Sequence, residues 1–111
     1  MSQLIEFLKD FQRQVYQNAV NHGWYEEPTE DGTRIALIHS ELSEALEDLR
    51  ANEPPQSKKI PEFLEIEEEF ADAIIRILDF AQHRHLRVTE ALIAKHTYNC
   101  SRPYKHGGKK F

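Results

Sequence analysis

Two pairs of carboxylates, set beside apolar residues at helical spacing, constrain this chain more than any other feature. Glu41 and Glu44 form the first pair, and Glu69 and Asp72 form the second. Residues three apart on a helix carry Cβ atoms about 5–6 Å apart, so each pair projects from one flank of its helix. Apolar residues lie beside both flanks. The pattern therefore predicts two packed helices whose four carboxylates point into a partly enclosed space.

The remaining periodicity predicts an all-α domain with four helices and no strand. The predicted helices cover residues 2–21, 33–51, 61–83 and 90–99. Ser2 and Thr89 are the expected N-caps of the first and fourth helices, because a hydroxyl oxygen can accept an unpaired backbone N–H. Pro61 suits the first turn of the third helix, where its missing N–H is not needed. Residues 101–111 are predicted to be an irregular basic tail, and 1–111 is predicted to be a single domain.

The composition is that of a globular chain without membrane segments or disulfides. Of the 111 residues, 40% are hydrophobic and 30% are charged. No apolar run approaches the roughly 18 residues that a membrane span requires, and the first residues lack the basic and apolar segments of a secretory signal. Cys100 is the only cysteine, which excludes an internal disulfide and suits a reducing compartment. A cytoplasmic protein with no membrane partner is expected.

Charge is distributed unevenly along the chain. Between Glu41 and Asp72, eleven acids accompany three bases. After Glu90 there are no acids, and the bases are Lys95, Arg102, Lys105, Lys109 and Lys110. This distribution suits a ligand that carries both a metal ion and phosphate groups, although a solvated acidic face with a loose tail is the alternative. Five bases on a chain of net charge −5 form too small a positive surface to predict a nucleic-acid partner.

Four converging carboxylates require cations or protons. Unit charges about 4 Å apart repel by roughly 4 kcal/mol at an effective dielectric constant of about 20. Oxygen ligands without histidine or thiolate select magnesium, manganese or calcium rather than zinc. A di-iron bundle would need Glu-x-x-His pairs, and none of the six histidines has a glutamate three residues before it. Either acid pair alone is also common on an exposed helical face, which is the simpler alternative to a metal site.

Together these motifs resemble the MazG-like nucleoside triphosphate pyrophosphohydrolases, which are all-α enzymes built around E-x-x-E and E-x-x-D pairs. The likeness extends over nearly the whole chain and is carried by residues 35–46, 67–78 and 99–109. It implies a four-helix MazG-like bundle completed by homo-oligomerisation, as a homodimer or a tetramer. It also implies a hydrolase acting on acid anhydrides, which converts a nucleoside or deoxynucleoside triphosphate to the monophosphate and pyrophosphate in nucleotide-pool house-cleaning.

The resemblance also implies roles for individual side chains. Mg²⁺, or Mn²⁺ in its place, would be held by Glu41, Glu44, Glu69 and Asp72. Glu41 or Glu44 would accept a proton from the attacking water. Contacts to the substrate are expected from Trp24, Arg76, Lys95, Asn99, Arg102, Lys105 and Lys109. Trp24 would stack on the base, although a lone aromatic residue in a loop equally often covers a core. Ser40 stands where many members have a further glutamate, and some members have a residue other than arginine at position 76, so the preferred base and sugar stay open.

Two interpretations from different classes follow. One is the metal-dependent enzyme, and the other is a non-catalytic helical regulatory module that binds nucleotide or metal. Each basic residue near the C-terminus is explained equally well as a solubilising charge. Self-association is predicted on separate grounds, because the first three helices carry more apolar positions than one small bundle can cover.

Overall fold

The computed structural model of the protein describes residues 1–104, which form four α-helices and no β-strand. The helices are α1 (Ser2–Asn21), α2 (Asp31–Arg50), α3 (Glu65–His83) and α4 (Val88–Cys100). The predicted all-α fold class is therefore confirmed for this part of the chain. None of the four helices combines the length and hydropathy needed to cross a lipid bilayer.

α3 is the central helix of the fold. It packs against α2 and α1 and, over a smaller area, against α4, which also contacts α1. α2 packs against α3 and touches neither of the other two helices. An ion pair joins Glu41 near the middle of α2 to Arg76 just past the middle of α3, whereas Asp48 near the end of α2 lies beside Glu69 near the start of α3. The two helices therefore run antiparallel.

The predicted range of α1 is confirmed with its N-cap displaced by one residue, and the predicted starts of α2 and α4 lie two residues too late. Ser2 already belongs to α1, and Met1 occupies the N-cap position. α4 begins at Val88, so Thr89 lies inside its first turn as a buried residue and is not the cap. α2 begins at Asp31, whose negative charge is favoured at the positive end of a helix dipole.

The predicted start of α3 at Pro61 is wrong, because residues 51–64 fold as a loop that is bonded to itself. Within this 51–64 loop, the Ser57 N–H donates to the carbonyl of Phe63 at 3.0 Å, and the Glu65 N–H donates to the carbonyl of Pro55 at 2.8 Å. These bonds join residues too far apart to belong to a helix. α3 can begin only after this closure.

The 51–64 loop is also fastened to α3 by side chains. The Ser57 hydroxyl is buried, donates to a carboxylate oxygen of Glu68 and accepts the N–H of Ile60. The carboxylate of Glu67 accepts the N–H of Leu64 at 3.0 Å, which satisfies a backbone donor ahead of the first turn. The loop is therefore held in place at its centre and at its junction with the helix.

The core of the single chain consists mainly of small side chains. Its buried hydrophobic residues, among the described part of the chain, are Ala19, Ala45, Ala73, Leu78 and Ala81. The apolar stripes on α2 and α3 are largely uncovered, since Leu46 and Ile74 are each 56% exposed. The radius of gyration is 16.6 Å, compared with about 13 Å for a compact domain of this length. A single copy therefore leaves unburied much of the apolar surface that the sequence pattern predicted to be core.

Candidate functional site

The four carboxylates of the sequence motifs line one cavity between α2, α3 and the 51–64 loop. This cavity, here called the acidic cavity, has a volume of about 270 Å³. Its lining residues are Glu41, Glu44, Lys58, Lys59, Glu65, Glu68, Glu69 and Asp72. The structure thus brings both predicted pairs together. It adds Lys58 and Lys59, which were not among the predicted site residues and which the 51–64 loop carries to the cavity.

Helix geometry accounts for this convergence. Three acids on each helix lie within about 60° of one another around the helix axis. These six side chains, here called the acidic face, are Glu41, Glu44 and Asp48 on α2 and Glu65, Glu69 and Asp72 on α3. Because the two helices are antiparallel, Asp72 and Arg76 lie nearest Glu41, whereas Glu69 lies nearest Asp48.

One end of the acidic face, the arginine end, contains a cation supplied by the protein. The Arg76 Nε donates to Glu41 Oε1 at 3.2 Å, and both side chains are largely buried. Burial raises the pKa of Asp72, and the negative charges of Glu41 and Glu68 raise it further. Lys59 and Arg76 oppose this rise. The carboxylates at this end are therefore partly neutralised by neighbouring bases.

The other end, the aspartate end, contains Asp48, Glu65 and Glu69, and within residues 1–104 none of these carboxylates forms an ion pair with a base. Glu69 is only 6% exposed, and its Oε2 atom has no hydrogen-bond partner among the described residues. The pKa of Glu69 is raised to about 8, first by burial, then by the Asp48 carboxyl within hydrogen-bonding reach, and finally by the negative charges of Glu44 and Glu65. The Oδ2 atom of Asp48 is likewise buried without a partner.

The chemistry of this donor set fits a hard divalent cation. All the candidate ligands are carboxylates, and Mg²⁺, Mn²⁺ and Ca²⁺ prefer oxygen. A buried oxygen without a partner is uncommon in proteins and calls for a proton, a water molecule or an ion. Among residues 1–104, no three acidic, histidine or cysteine side chains already form a closed ligand set. An ion bound here would have to draw the carboxylates inward.

A second cavity, here called the tryptophan cavity, adjoins the arginine end and has a volume of about 280 Å³. Its lining residues are Val15, Asn18, Ala19, Trp24, Glu41, Lys59, Asp72, Ile75, Arg76 and Asp79. Glu41, Lys59 and Asp72 therefore belong to both cavities. The Arg76 guanidinium lies 5.2 Å from the centre of the Trp24 ring, and half of the Trp24 surface is exposed. An aromatic ring, apolar walls and polar groups are together what a heterocyclic ligand requires.

A polar cluster that the sequence analysis missed positions the loop that carries Trp24. The Tyr25 hydroxyl donates to Asp79 Oδ1 at 2.8 Å. The Arg34 guanidinium lies 4.2 Å from the centre of the Tyr25 ring, and the ring of His83 lies 4.4 Å from it on centroids. Burial and the bond to Asp79 raise the pKa of Tyr25. The sequence does contain a pattern that indicates Asp79: it lies seven residues after Asp72 and therefore on the same face of α3.

The remaining predicted substrate contacts lie away from these cavities or outside the described residues. Lys95, Asn99 and Arg102 are exposed on or just after α4 and line neither the acidic cavity nor the tryptophan cavity. The ammonium group of Lys95 lies 4.5 Å from the centre of the Tyr98 ring on the same helix. Lys105 and Lys109 lie outside the described residues. The roles expected for these five residues stay predictions.

No protein-family model, no curated protein and no solved structure matches this chain. Function therefore has to be inferred from the acidic face and the two cavities beside it.

Proposed function

We propose that this protein is a magnesium-dependent nucleoside triphosphate pyrophosphohydrolase of the MazG-like type, which releases pyrophosphate and leaves the nucleoside monophosphate. One observation carries the proposal. Glu41, Glu44, Glu69 and Asp72 line a single cavity, and a buried oxygen of Glu69 has no partner among the described residues. Facing acids of this kind on packed helices favour a divalent cation, and a divalent cation in turn favours a phosphate ligand.

These four carboxylates would hold Mg²⁺, for which Mn²⁺ could substitute. When bound, the ion supplies charge neutralisation on phosphate oxygens and lowers the pKa of a water molecule. Glu41 or Glu44 would accept the proton of the attacking water. Lys58 and Lys59 line the acidic cavity and would add positive charge for a triphosphate, which binds such groups through charge-assisted hydrogen bonds.

The base would occupy the tryptophan cavity. This cavity shares three lining residues with the acidic cavity, so a ligand with phosphates in one and a ring in the other would span their common wall. Trp24 would stack on the base. Arg76, between Trp24 and Glu41, would contact either the ring or the phosphates.

We further propose that the bundle is completed by a second copy of the chain, as a homodimer or within a tetramer. The support is the alanine-rich core together with the exposed apolar residues of α2 and α3. Burial of apolar surface stabilises by roughly 25 cal/mol per Å², so such stripes favour association. Sedimentation at micromolar concentration should show a dimer or larger species, and a protein that stays monomeric there would contradict the proposal.

The test of the activity uses purified protein, Mg²⁺ and each of the eight common nucleoside triphosphates. The expected product is pyrophosphate and not orthophosphate. Glu41→Gln and Asp72→Asn should each lower the rate by about a hundredfold or more, because each removes charge from the ion-binding set. Glu6→Gln, on the exposed side of α1, should retain the wild-type rate.

Circular dichroism of all variants should keep the helical signal, which excludes unfolding as the cause of lost activity. A protein that binds a triphosphate but never hydrolyses it would instead be the non-catalytic regulatory module.

A further inference from the structure

One carboxylate in the wall of the tryptophan cavity has no role in the proposed reaction. It belongs to Asp79, which lines this cavity together with Trp24 and Arg76. Asp79 lies two helical turns beyond Asp72, which is about 10 Å farther along α3, and it does not line the acidic cavity. Its carboxylate is therefore beside the position expected for the base and not among the candidate metal ligands.

The Asp79 carboxylate is held by Tyr25, a residue that does not itself line the tryptophan cavity. The Tyr25 hydroxyl donates to Oδ1 of Asp79 at 2.8 Å. Burial raises the pKa of Tyr25, so this hydroxyl keeps its proton and stays a donor. Oδ2 of Asp79 has no hydrogen-bond partner among residues 1–104, yet it is not one of the buried oxygens without a partner. Asp79 therefore offers an oriented and accessible acceptor to a ligand in the cavity.

The charge state of Asp79 determines which ligand group this acceptor can bind. Burial raises the pKa of Asp79, whereas the hydrogen bond from Tyr25 opposes the rise. The positive charges that also oppose it belong to Arg34, His83 and Arg76. Within the described chain, none of these bases forms an ion pair with Asp79. An ionised carboxylate only accepts hydrogen bonds, so the ligand group that meets Oδ2 must be a donor.

We propose that Asp79 reads the nucleotide base and selects bases with an exocyclic amino group, cytosine and adenine, over those with a carbonyl oxygen at the same ring position. The inference rests on the proposed function for the ligand being a nucleotide, and it names the class of substrate. An amino group of this kind donates to a carboxylate, as cytosine N4 does to Asp or Glu. The O4 atom of uracil or thymine would instead place two acceptors opposite each other. Stacking on Trp24 tolerates every base, so Asp79 supplies the discrimination.

The test follows the fluorescence of Trp24, the only tryptophan in the chain, during titration with nucleoside monophosphates, which cannot release pyrophosphate. Cytidine and uridine monophosphates differ at this ring position, as do adenosine and inosine monophosphates. At pH 8, which favours the ionised carboxylate, the wild type should bind the amino member of at least one pair about tenfold more tightly. Equal binding within both pairs, or tighter binding of the carbonyl members, would overturn the proposal.

Asp79→Asn is the decisive variant. Its amide oxygen can still accept from Tyr25, which turns the amide N–H₂ toward the cavity, so the preference should reverse in favour of the carbonyl members. Asp10→Asn is the matched control, because it makes the same change at an exposed residue of α1 that pairs with Arg13. It should keep the wild-type preference. Tyr25→Phe leaves the carboxylate without its orienting bond, so this second variant should reduce the preference without reversing it.

Melting temperatures check that the variants are folded, and Tyr25→Phe decides the matter if Asp79→Asn does not fold. The outcomes also separate the role of Asp79 from the reaction. A preference that reverses in Asp79→Asn, in a protein that never releases pyrophosphate, would uphold base reading and refute the proposed function. Pyrophosphate release together with an unchanged preference in Asp79→Asn would uphold the reaction and overturn the role of Asp79.

Discussion

The two ends of the acidic face are built from the same residue types on the same two helices, yet their charges are balanced differently. At the arginine end, Arg76 contacts Glu41 and Lys59 lies near Asp72. At the aspartate end, the side chains that act most on Glu69 are the carboxyls of Asp48, Glu44 and Glu65, and none of these four acids forms an ion pair among the described residues. The protein therefore neutralises one end with its own side chains. It leaves the other end to a proton or to an ion from solution.

The difference arises from the residues that occupy one surface of α3. Positions 65, 69, 72 and 76 all project in the same direction, because they are three or four residues apart. The first three are acidic and the last is Arg76. α3 thus carries a positive charge at only one end of this row of four residues. Because α2 runs antiparallel to α3, the other end of the row lies opposite Asp48. Each prediction below changes the charge at one end and leaves the other end intact.

The largest effect is expected from pH, acting on the aspartate end of the metal-free protein. The folded-state pKa of Glu69 is about 8, compared with an ordinary value of 4.5. The folded state therefore binds more protons than the unfolded state between these values. The stability from this carboxyl is fully present below about pH 4.5 and is lost as the pH rises through about 8, by on the order of a few kcal/mol.

Urea unfolding measured with a chelator across this pH range checks the expectation. Asp72 and Asp79 act in the same direction, because burial raises the pKa of each. Glu69→Gln should flatten most of the slope, since its amide does not titrate. Saturating Mg²⁺ should flatten the wild-type slope as well. A metal-free wild type whose stability increases from pH 5 to about pH 8 would contradict the assignment of Glu69 as the protonated group.

A smaller effect is expected from removing the protein's own cation at the arginine end. Arg76→Gln leaves the largely buried Glu41 carboxylate without its partner, which should lower the free energy of unfolding without metal by about 1–3 kcal/mol. Mg²⁺ should restore more stability to this variant than to the wild type, because the guanidinium no longer competes for Glu41. Melting temperatures with and without Mg²⁺ measure both quantities.

Arg50→Gln is the matched control for Arg76→Gln. Arg50 also pairs with a glutamate, Glu47, but both side chains are about 70% exposed, and exposed pairs contribute at most about 1 kcal/mol. Its Mg²⁺ response should equal that of the wild type. An equal response in Arg76→Gln as well would show that Arg76 and the ion do not share Glu41.

Helical periodicity explains how much of this arrangement was predictable from the sequence. The end of α3 at His83 and the grouping of Glu69 with Asp72 depend on residues close together in the chain, so the 3.6-residue period reveals them. The period does not reveal the start of α3, because that start depends on the hydrogen bond from the Glu65 N–H to the Pro55 carbonyl across the 51–64 loop. The pairing of Asp48 with Glu69 depends on the register between two helices, which neither helix encodes alone.

The apolar stripes illustrate the same limit. The spacing of Leu42, Leu46 and Leu49 correctly indicates one apolar face on α2, but these residues are exposed in the single chain. Periodicity identifies a surface that needs covering and does not identify its partner. Likewise, the bond between Tyr25 and Asp79 joins residues more than 50 positions apart. A local sequence pattern cannot predict such a contact.

The smallest effect is expected from giving the aspartate end a base of its own. Glu65→Lys would place an ammonium group beside Asp48 and Glu69, which should relieve part of their repulsion. Position 65 is the first residue of α3, however, and a positive charge there opposes the helix dipole at a cost of about 0.3–1 kcal/mol. The net gain in metal-free stability at pH 8 should therefore be only about 0.5 kcal/mol.

The Mg²⁺ response of this variant is more informative than its absolute stability. If the ammonium group substitutes for the ion, Mg²⁺ should stabilise Glu65→Lys less than it stabilises the wild type. Glu62→Lys makes the same charge change in the 51–64 loop, at an exposed residue that does not line the acidic cavity. An equal reduction in both variants would mean that net charge alone sets the response. The aspartate end would then differ from the arginine end in composition but not in its need for an ion.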